Sequence, residues 1–244
     1  MQPVVRLRSA VCLLGRFPAL AGVDLDVASG EVILLSGGNG AGKTTLLRLI
    51  AGLVRLHEGE AEVLGFDLGR DRSSHRHELA FVGHETFCYD DLTVRENLVF
   101  AARAAGADTA AADAALERVG LEGSAGVTHA RLSAGQRRRL AFAVALSRGP
   151  RLLLLDEPHA GLDAEGRGVL DAVLQASASE NRAVLIASHE LDRTRALATR
   201  EVVLTAGQTH GTATERSEGA RRSNERPEWR RPGTPATERV RPER

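Results

Sequence analysis

The chain has 244 residues, 43% of them hydrophobic, with 32 basic against 32 acidic side chains and a formal charge of zero. That is enough apolar material for one large domain or two small ones, and the balanced charge excludes a generally basic, nucleic-acid-binding surface. No apolar run reaches the roughly 18 residues of a membrane span, and the start MQPVVRLRSA lacks the apolar stretch of a secretory signal, so the chain is expected not to cross a membrane unaided.

In chain order, the N-terminal segments VVRLRSA, AGVDLDV and EAEVLGF alternate in short runs broken by turns, which predicts a small antiparallel sheet. EVILLS (31–36), RLLLLD (151–156) and RAVLIAS (182–188) are short, continuous apolar runs flanked by Gly, Asp or Ser, the pattern of strands buried on both faces of a parallel sheet. Helical stretches are predicted at 43–52, 94–104, 109–119, 134–148 and 164–177, so strand and helix alternate and the core is expected to be α/β. Between about 85 and 147 no strand-like run occurs, which predicts a separate helical lobe. Cys12 and Cys88 are far apart and match no metal-ligand spacing, which fits a reducing cytoplasm and argues against a zinc site. From about 211 to 244 apolar residues nearly vanish; nine Arg against six Glu give a net charge of +3, and a disordered tail is expected. It is either a solvated extension or a weak contact for acidic lipid headgroups.

Of the 32 basic residues only Lys43 is a lysine, which marks a position that the wide planar fork of arginine cannot fill. Lys43 lies in SGGNGAGKTT (36–45), which follows a predicted strand, opens a helix and fits GxxxxGK[ST] at Gly37, Gly42, Lys43 and Thr44. In such a loop the backbone N–H groups of Gly37, Gly38, Asn39, Gly40, Ala41, Gly42 and the helix start through Thr45 can curl round a polyphosphate. Lys43 then reaches the β and γ phosphates, and Thr44 ligates Mg²⁺. RLLLLDEP supplies the complement: Asp156 can hold Mg²⁺ through water, and Glu157 stands where a general base polarises the attacking water.

RLSAGQRRR (131–139) decides between nucleotide-binding families. Leu132, Ser133, Ala134, Gly135 and Gln136 resemble the LSGGQ signature of the ATP-binding cassette (ABC) ATPases, with Ala in place of the first glycine. GLD (161–163) resembles the family's D-loop, with Asp163, and ASHE (187–190) its switch histidine, His189. The resemblance spans roughly residues 4 to 208. It implies a P-loop NTPase (RecA-like) core with an N-terminal antiparallel β subdomain and an inserted α-helical subdomain at about 85–147, within an ATPase domain over 1–210. It also implies ATP and Mg²⁺ as cofactors, and a homodimer or heterodimer of ATPase domains arranged head to tail, so that Ser133, Gly135 and the following helix face the partner's γ-phosphate. Ser133 as hydroxyl donor and N-cap, and Gly135 as a point of close backbone approach, fit that task. His189, by the same resemblance, contacts the γ-phosphate and helps to place Glu157. The remaining histidines, including HRH at 75–77, read as solvated loop residues.

The family stacks an aromatic on adenine. Leu14 occupies the equivalent place here, so Phe17 either does the stacking or is a core residue. Transport subunits carry a glutamine at the junction of core and lobe; here it is His84, followed by Glu85 in FVGHETFCYDD (81–91). Together with LSAGQ, this resembles the ATP-binding subunits of haem exporters of the cytochrome c maturation type. The segment after the junction is expected to border a groove for an integral membrane permease subunit, with Phe87 and Tyr89 as apolar anchors beside Asp90 and Asp91, or else to pack beneath the lobe; Phe81 is assigned to the core. The resemblance therefore implies the ATP-hydrolysing subunit of an exporter, peripheral on the inner face of the cell membrane, with haem as leading cargo and drug or lipid efflux as alternative. A soluble, non-transport ABC ATPase is disfavoured, because the short stretch between Gly37 and Ser133 leaves no room for a coiled-coil insertion.

Overall fold

The structure is a computed structural model that describes residues 3–83 and 86–211. Two sheets carry it. Strands β1 (Val5–Leu14), β2 (Phe17–Val27), β4 (Glu58–Val63) and β5 (Phe66–Asp67) form an antiparallel sheet in the order β2-β1-β4-β5. Strands β3 (Val32–Ser36), β6 (Leu79–Val82), β7 (Leu152–Asp156), β8 (Ala183–Ala187), β9 (Arg200–Thr205) and β10 (Gln208–Gly211) form the second, in the order β10-β9-β3-β8-β7-β6. All its neighbours are parallel except the β9–β10 hairpin at one edge.

The run of four leucines in β7 has a simple cause. Side chains alternate across a strand, so Leu152 and Leu154 enter one core, with α1 (Lys43–Ile50) and the antiparallel sheet. Leu153 and Leu155 enter the other, with the helices α2 (Val94–Ala104), α3 (Thr109–Arg118), α4 (Ala134–Ser147) and α5 (Ala164–Ser179). A strand that is covered on both faces needs an apolar side chain at every position. Between β6 and β7 the described residues form α2, α3, α4 and short 3-10 turns, with one isolated bridge, Thr93 to Thr128, and no strand. Helix α6 (Leu191–Leu197) follows β8. Among the described residues no helix is long and apolar enough to cross a membrane.

Each helix start in the lobe is written in its caps. Thr93 and Glu96 form a reciprocal capping box at α2, and Ser133 and Gln136 form another at α4; each arrangement satisfies two otherwise orphaned N–H groups. The β9–β10 hairpin, which lies outside the predicted elements, locks the glycine-loop end of the sheet. In its turn Gly207 donates its N–H to Ala41 O (3.0 Å) and accepts from Ala21 N–H (2.8 Å), joining the glycine loop to β2.

Three of the histidines read as solvated are instead buried. His75, in the turn Ser74–Glu78, is fully buried, with Nε2 2.9 Å from Ile50 O; burial lowers its pKa. His129 meets Asp90 Oδ1 at 2.7 Å and His159 meets Asp171 Oδ1 at 3.0 Å. Each buried ring has a polar partner for at least one nitrogen, the condition for burying it at tolerable cost, and nothing local in the sequence signals that. His57, His77 and His210 are exposed.

Candidate functional site

The carboxyl ends of β3, β7 and β8 open on a cleft of about 320 Å³, lined by the glycine loop from Asn39 to Thr45 and by Asp156, Glu157 and His189. Gly37, at φ 139°, opens the loop, and a Cβ there would lie 2.2 Å from Leu204 O; Gly40 and Gly42 have φ of 76° and 108°. Only glycine takes such angles against a neighbouring backbone without strain. Ala41 is buried, and Gly38 has open space round its α carbon. Lys43 Nζ curls over the loop, donating to Gly37 O at 2.7 Å and Gly38 O at 3.1 Å. Thr44 Oγ1 donates to Asp156 Oδ2 at 2.9 Å, so a hydroxyl and a largely buried carboxylate share one corner of the cleft.

Glu157 departs from the strand at φ 49°, a left-handed angle for a residue with a side chain, which costs about 1–2 kcal/mol. Its backbone is fixed on both sides: the N–H donates to Ala187 O at 2.8 Å, and the carbonyl accepts from Arg138 Nη2 at 2.8 Å. The kink points the carboxylate at His189. His189 N–H donates to Glu157 Oε2 at 3.1 Å, and His189 Nε2 lies 3.5 Å from Oε1.

The signature lies apart from this cleft. Ser133 is exposed at the start of α4, its hydroxyl accepting from Gln136 N–H at 3.2 Å, with the O–H still able to donate outward. Gln136 returns the bond through Oε1 to Ser133 N–H at 2.9 Å and donates from Nε2 to Ser124 Oγ at 3.2 Å. Among the described residues a Cβ on Gly135 would meet nothing closer than Gly161 O at 3.8 Å, so none of them forbids alanine there. Asp163 caps α5, accepting from Gly166 N–H at 2.8 Å. None of these four lines the cleft.

Phe17 does not line it either. The cleft is edged by Leu14, and Phe17, its cross-strand partner, stands 80% exposed, which rules out the core alternative. His84 and Glu85 lie outside the described residues. Phe87 and Tyr89 are both exposed, 73% and 55%, so neither packs beneath the lobe, yet they do not share a groove. Tyr89 stands edge-on to Phe100 of α2, ring centroids 5.2 Å apart. Phe87 lines a groove of about 590 Å³ with Leu53, the partly buried Phe81, Arg48, Arg76 and Arg148. Among the described residues none of these three arginines is within salt-bridge distance of a carboxylate, while Asp90 is engaged by His129. The groove therefore presents positive charge, the opposite of the acidic rim expected from Asp90 and Asp91.

Comparison with known proteins gives a consistent result. The family described as ABC transporter matches residues 20–160. The chain is 42% identical over 185 residues to the cytochrome c biogenesis ATP-binding export protein CcmA of Bordetella bronchiseptica, covering 75% of this chain and 83% of that one. It is 40% identical to the CcmA of Rhodopseudomonas palustris, covering 75% and 90%. Among solved structures, the ATP-binding subunit of an ABC transporter superposes with a TM-score of 0.78 at 25% identity over 84% of this chain and 88% of that one. A dimeric ATP-binding cassette in a post-hydrolysis state, bound to ADP and Pi, superposes with a TM-score of 0.76 at 25% identity over 84% and 96%.

Proposed function

The chain belongs to the ABC transporter family, as its ATP-binding, ATP-hydrolysing subunit, and from that premise we propose how its own residues work and what they serve. The observation that carries the reading is the meeting of Lys43, Thr44, Asp156, Glu157 and His189 in one cleft. Backbone N–H groups of the glycine loop cradle the phosphates of ATP, and the Lys43 ammonium leaves its two carbonyls to neutralise the β and γ phosphates. Thr44 Oγ1 and Asp156 bring only oxygen donors to one corner of the cleft, a set that fits Mg²⁺: Thr44 would ligate it and Asp156 would hold it through water. When bound, Mg²⁺ offsets charge on the β and γ oxygens.

Glu157 takes a proton from the water that attacks the γ-phosphorus; the bond to the β-bridging oxygen breaks and ADP departs with its electron pair. His189, within reach of the Glu157 carboxylate and at the mouth of the cleft, orients that carboxylate and meets the γ-phosphate. The Leu14 edge gives adenine an aliphatic rather than an aromatic surface. Two such chains face head to tail, so that the exposed Ser133 hydroxyl and the open approach at Gly135 reach the nucleotide held by the other; Asp163 lies in the loop between these sites. The ATPase domain spans 1–210 with a helical lobe at about 85–147. His84 stands for the junction glutamine, and the groove at Phe87 receives a membrane permease subunit, which keeps the chain on the inner face of the cell membrane. No nucleic acid enters this scheme.

The cargo reading is export for cytochrome c biogenesis, with haem as the transported group; its support is the two relatives whose names carry that process. One experiment tests both levels. The full chain is expressed in a bacterium whose own cytochrome c biogenesis export ATPase has been deleted. Restored haem-stained cytochrome c, together with recovery of a permease on the tagged chain, is the expected result. ATP hydrolysis without restoration would remove the haem reading, and absence of hydrolysis would remove the enzyme reading.

A further inference from the structure

Arg138 occupies the second turn of α4, five residues after Ser133, and is 7% exposed. Among the described residues its guanidinium meets no carboxylate. It donates to four backbone carbonyls: Asp156 O at 3.1 Å, Glu157 O at 2.8 Å, Pro158 O at 3.4 Å and, on the other side, Gly83 O at the end of β6. Its far face lies over the Phe142 ring, 5.4 Å from the centroid. A planar fork with five donors can bridge this many acceptors at once; a point-charge ammonium cannot.

Three features converge on the same peptide. Glu157 holds a left-handed backbone angle, and this angle aims its carboxylate at His189. One hydrogen bond, from its N–H to Ala187 O, fixes the strand side of the residue. On the other side the Glu157 carbonyl accepts from Ala160 N–H at 3.2 Å, within its own turn, and more closely from Arg138, whose bond is the one that reaches it from the helix that the signature caps. We propose that Arg138 is the positioning residue for Glu157: it holds the general base in its kinked orientation and ties that orientation to helix α4 and to the end of β6. A displacement of α4 when Ser133 meets the partner's nucleotide is then transmitted to the Glu157 peptide through one side chain. The inference rests on Glu157 acting as base.

The test compares Arg138→Lys and Arg138→Gln with the parent full chain, following kcat, KM, the affinity for a fluorescent ATP analogue, and thermal unfolding. A misplaced base costs rate, not ground-state binding. Loss of kcat by about 10²-fold is therefore expected, with KM and nucleotide affinity changed less than about twofold. In the Glu157→Gln background the same Arg138 substitutions are expected to leave the residual rate unchanged, because the group being positioned is already gone. A kcat within about twofold of the parent, or an undiminished loss in the Glu157→Gln background, overturns the proposal. If neither Arg138 variant folds, Phe142→Leu decides, since it loosens the guanidinium without removing a buried charge. A fall in kcat of about threefold or more at constant KM supports the inference, and an unchanged kcat overturns it. If Glu157→Gln alone leaves turnover intact, it is the assignment of the base that fails, whatever Arg138 does.

Discussion

Two loops leave neighbouring regions of the same parallel sheet and solve one steric problem in opposite ways. After β3 the chain turns through left-handed angles at Gly37, Gly40 and Gly42. After β7 it turns through such an angle at Glu157. On the proposed function the first loop offers its ligand backbone N–H groups, so a side chain at those positions would only obstruct, and glycine is the residue that fits. The second must present a carboxylate at the turn itself, so it tolerates the strain and holds it with bonds from the Glu157 N–H to Ala187 O and from Arg138 to the Glu157 carbonyl. Strain appears in this site where a side chain is indispensable, and is avoided where the backbone is the functional group.

The comparison can be broken at either loop. The largest effect is expected from Glu157→Gln: steady-state hydrolysis should fall by about 10²–10⁴-fold, as loss of a general base does, while ATP affinity persists and a dimer accumulates in size-exclusion chromatography with ATP. Turnover near the parent value would leave the kink without a catalytic reason. Next comes Gly37→Ala, whose Cβ would sit 2.2 Å from Leu204 O. Denaturant unfolding should show a loss of roughly 3 kcal/mol, since the backbone of β9 must move. Lys43→Arg should weaken ATP-analogue binding about tenfold, or about 1.4 kcal/mol, because the fork cannot enter a loop shaped to a point charge; calorimetry reads this directly. The smallest effect sharpens the contrast most. Glu157→Gly should raise unfolding free energy by about 1 kcal/mol by relieving the left-handed angle, even as hydrolysis is lost. A destabilised Glu157→Gly protein would mean that the kink is not strained.

Much of this site was legible because its signals are local. The glycine spacing, the lone lysine, the four leucines that end in Asp156 and Glu157, and the Ser133–Gln136 cap each depend on residues within a few positions of one another. The adenine edge was harder: Leu14 and Phe17 face each other across β1 and β2, and only the register and twist of that hairpin decide which of them reaches the cleft. The groove was misjudged for a related reason. Tyr89 and Phe87 are two residues apart, but they point to different surfaces, and the charges round Phe87 come from Arg48, Arg76 and Arg148, which no sequence window brings together.

The sequence by itself determined which groups are on offer: a glycine loop with its lysine, a hydroxyl and a carboxylate, an acidic residue at a strand end and a capped helix, each encoded by short-range spacing and backbone propensity, with His189 and the signature marked by resemblance to the family. Tertiary structure decided which of these groups act on one another. Arg137, Arg138 and Arg139 are indistinguishable as letters, yet only Arg138 falls on the buried face of α4, where it donates to the carbonyls of Asp156, Glu157, Pro158 and Gly83. A buried carbonyl without a donor is costly wherever it lies in the chain, and the identity of the donor is settled by packing between segments that are about 20 and 55 residues apart in sequence.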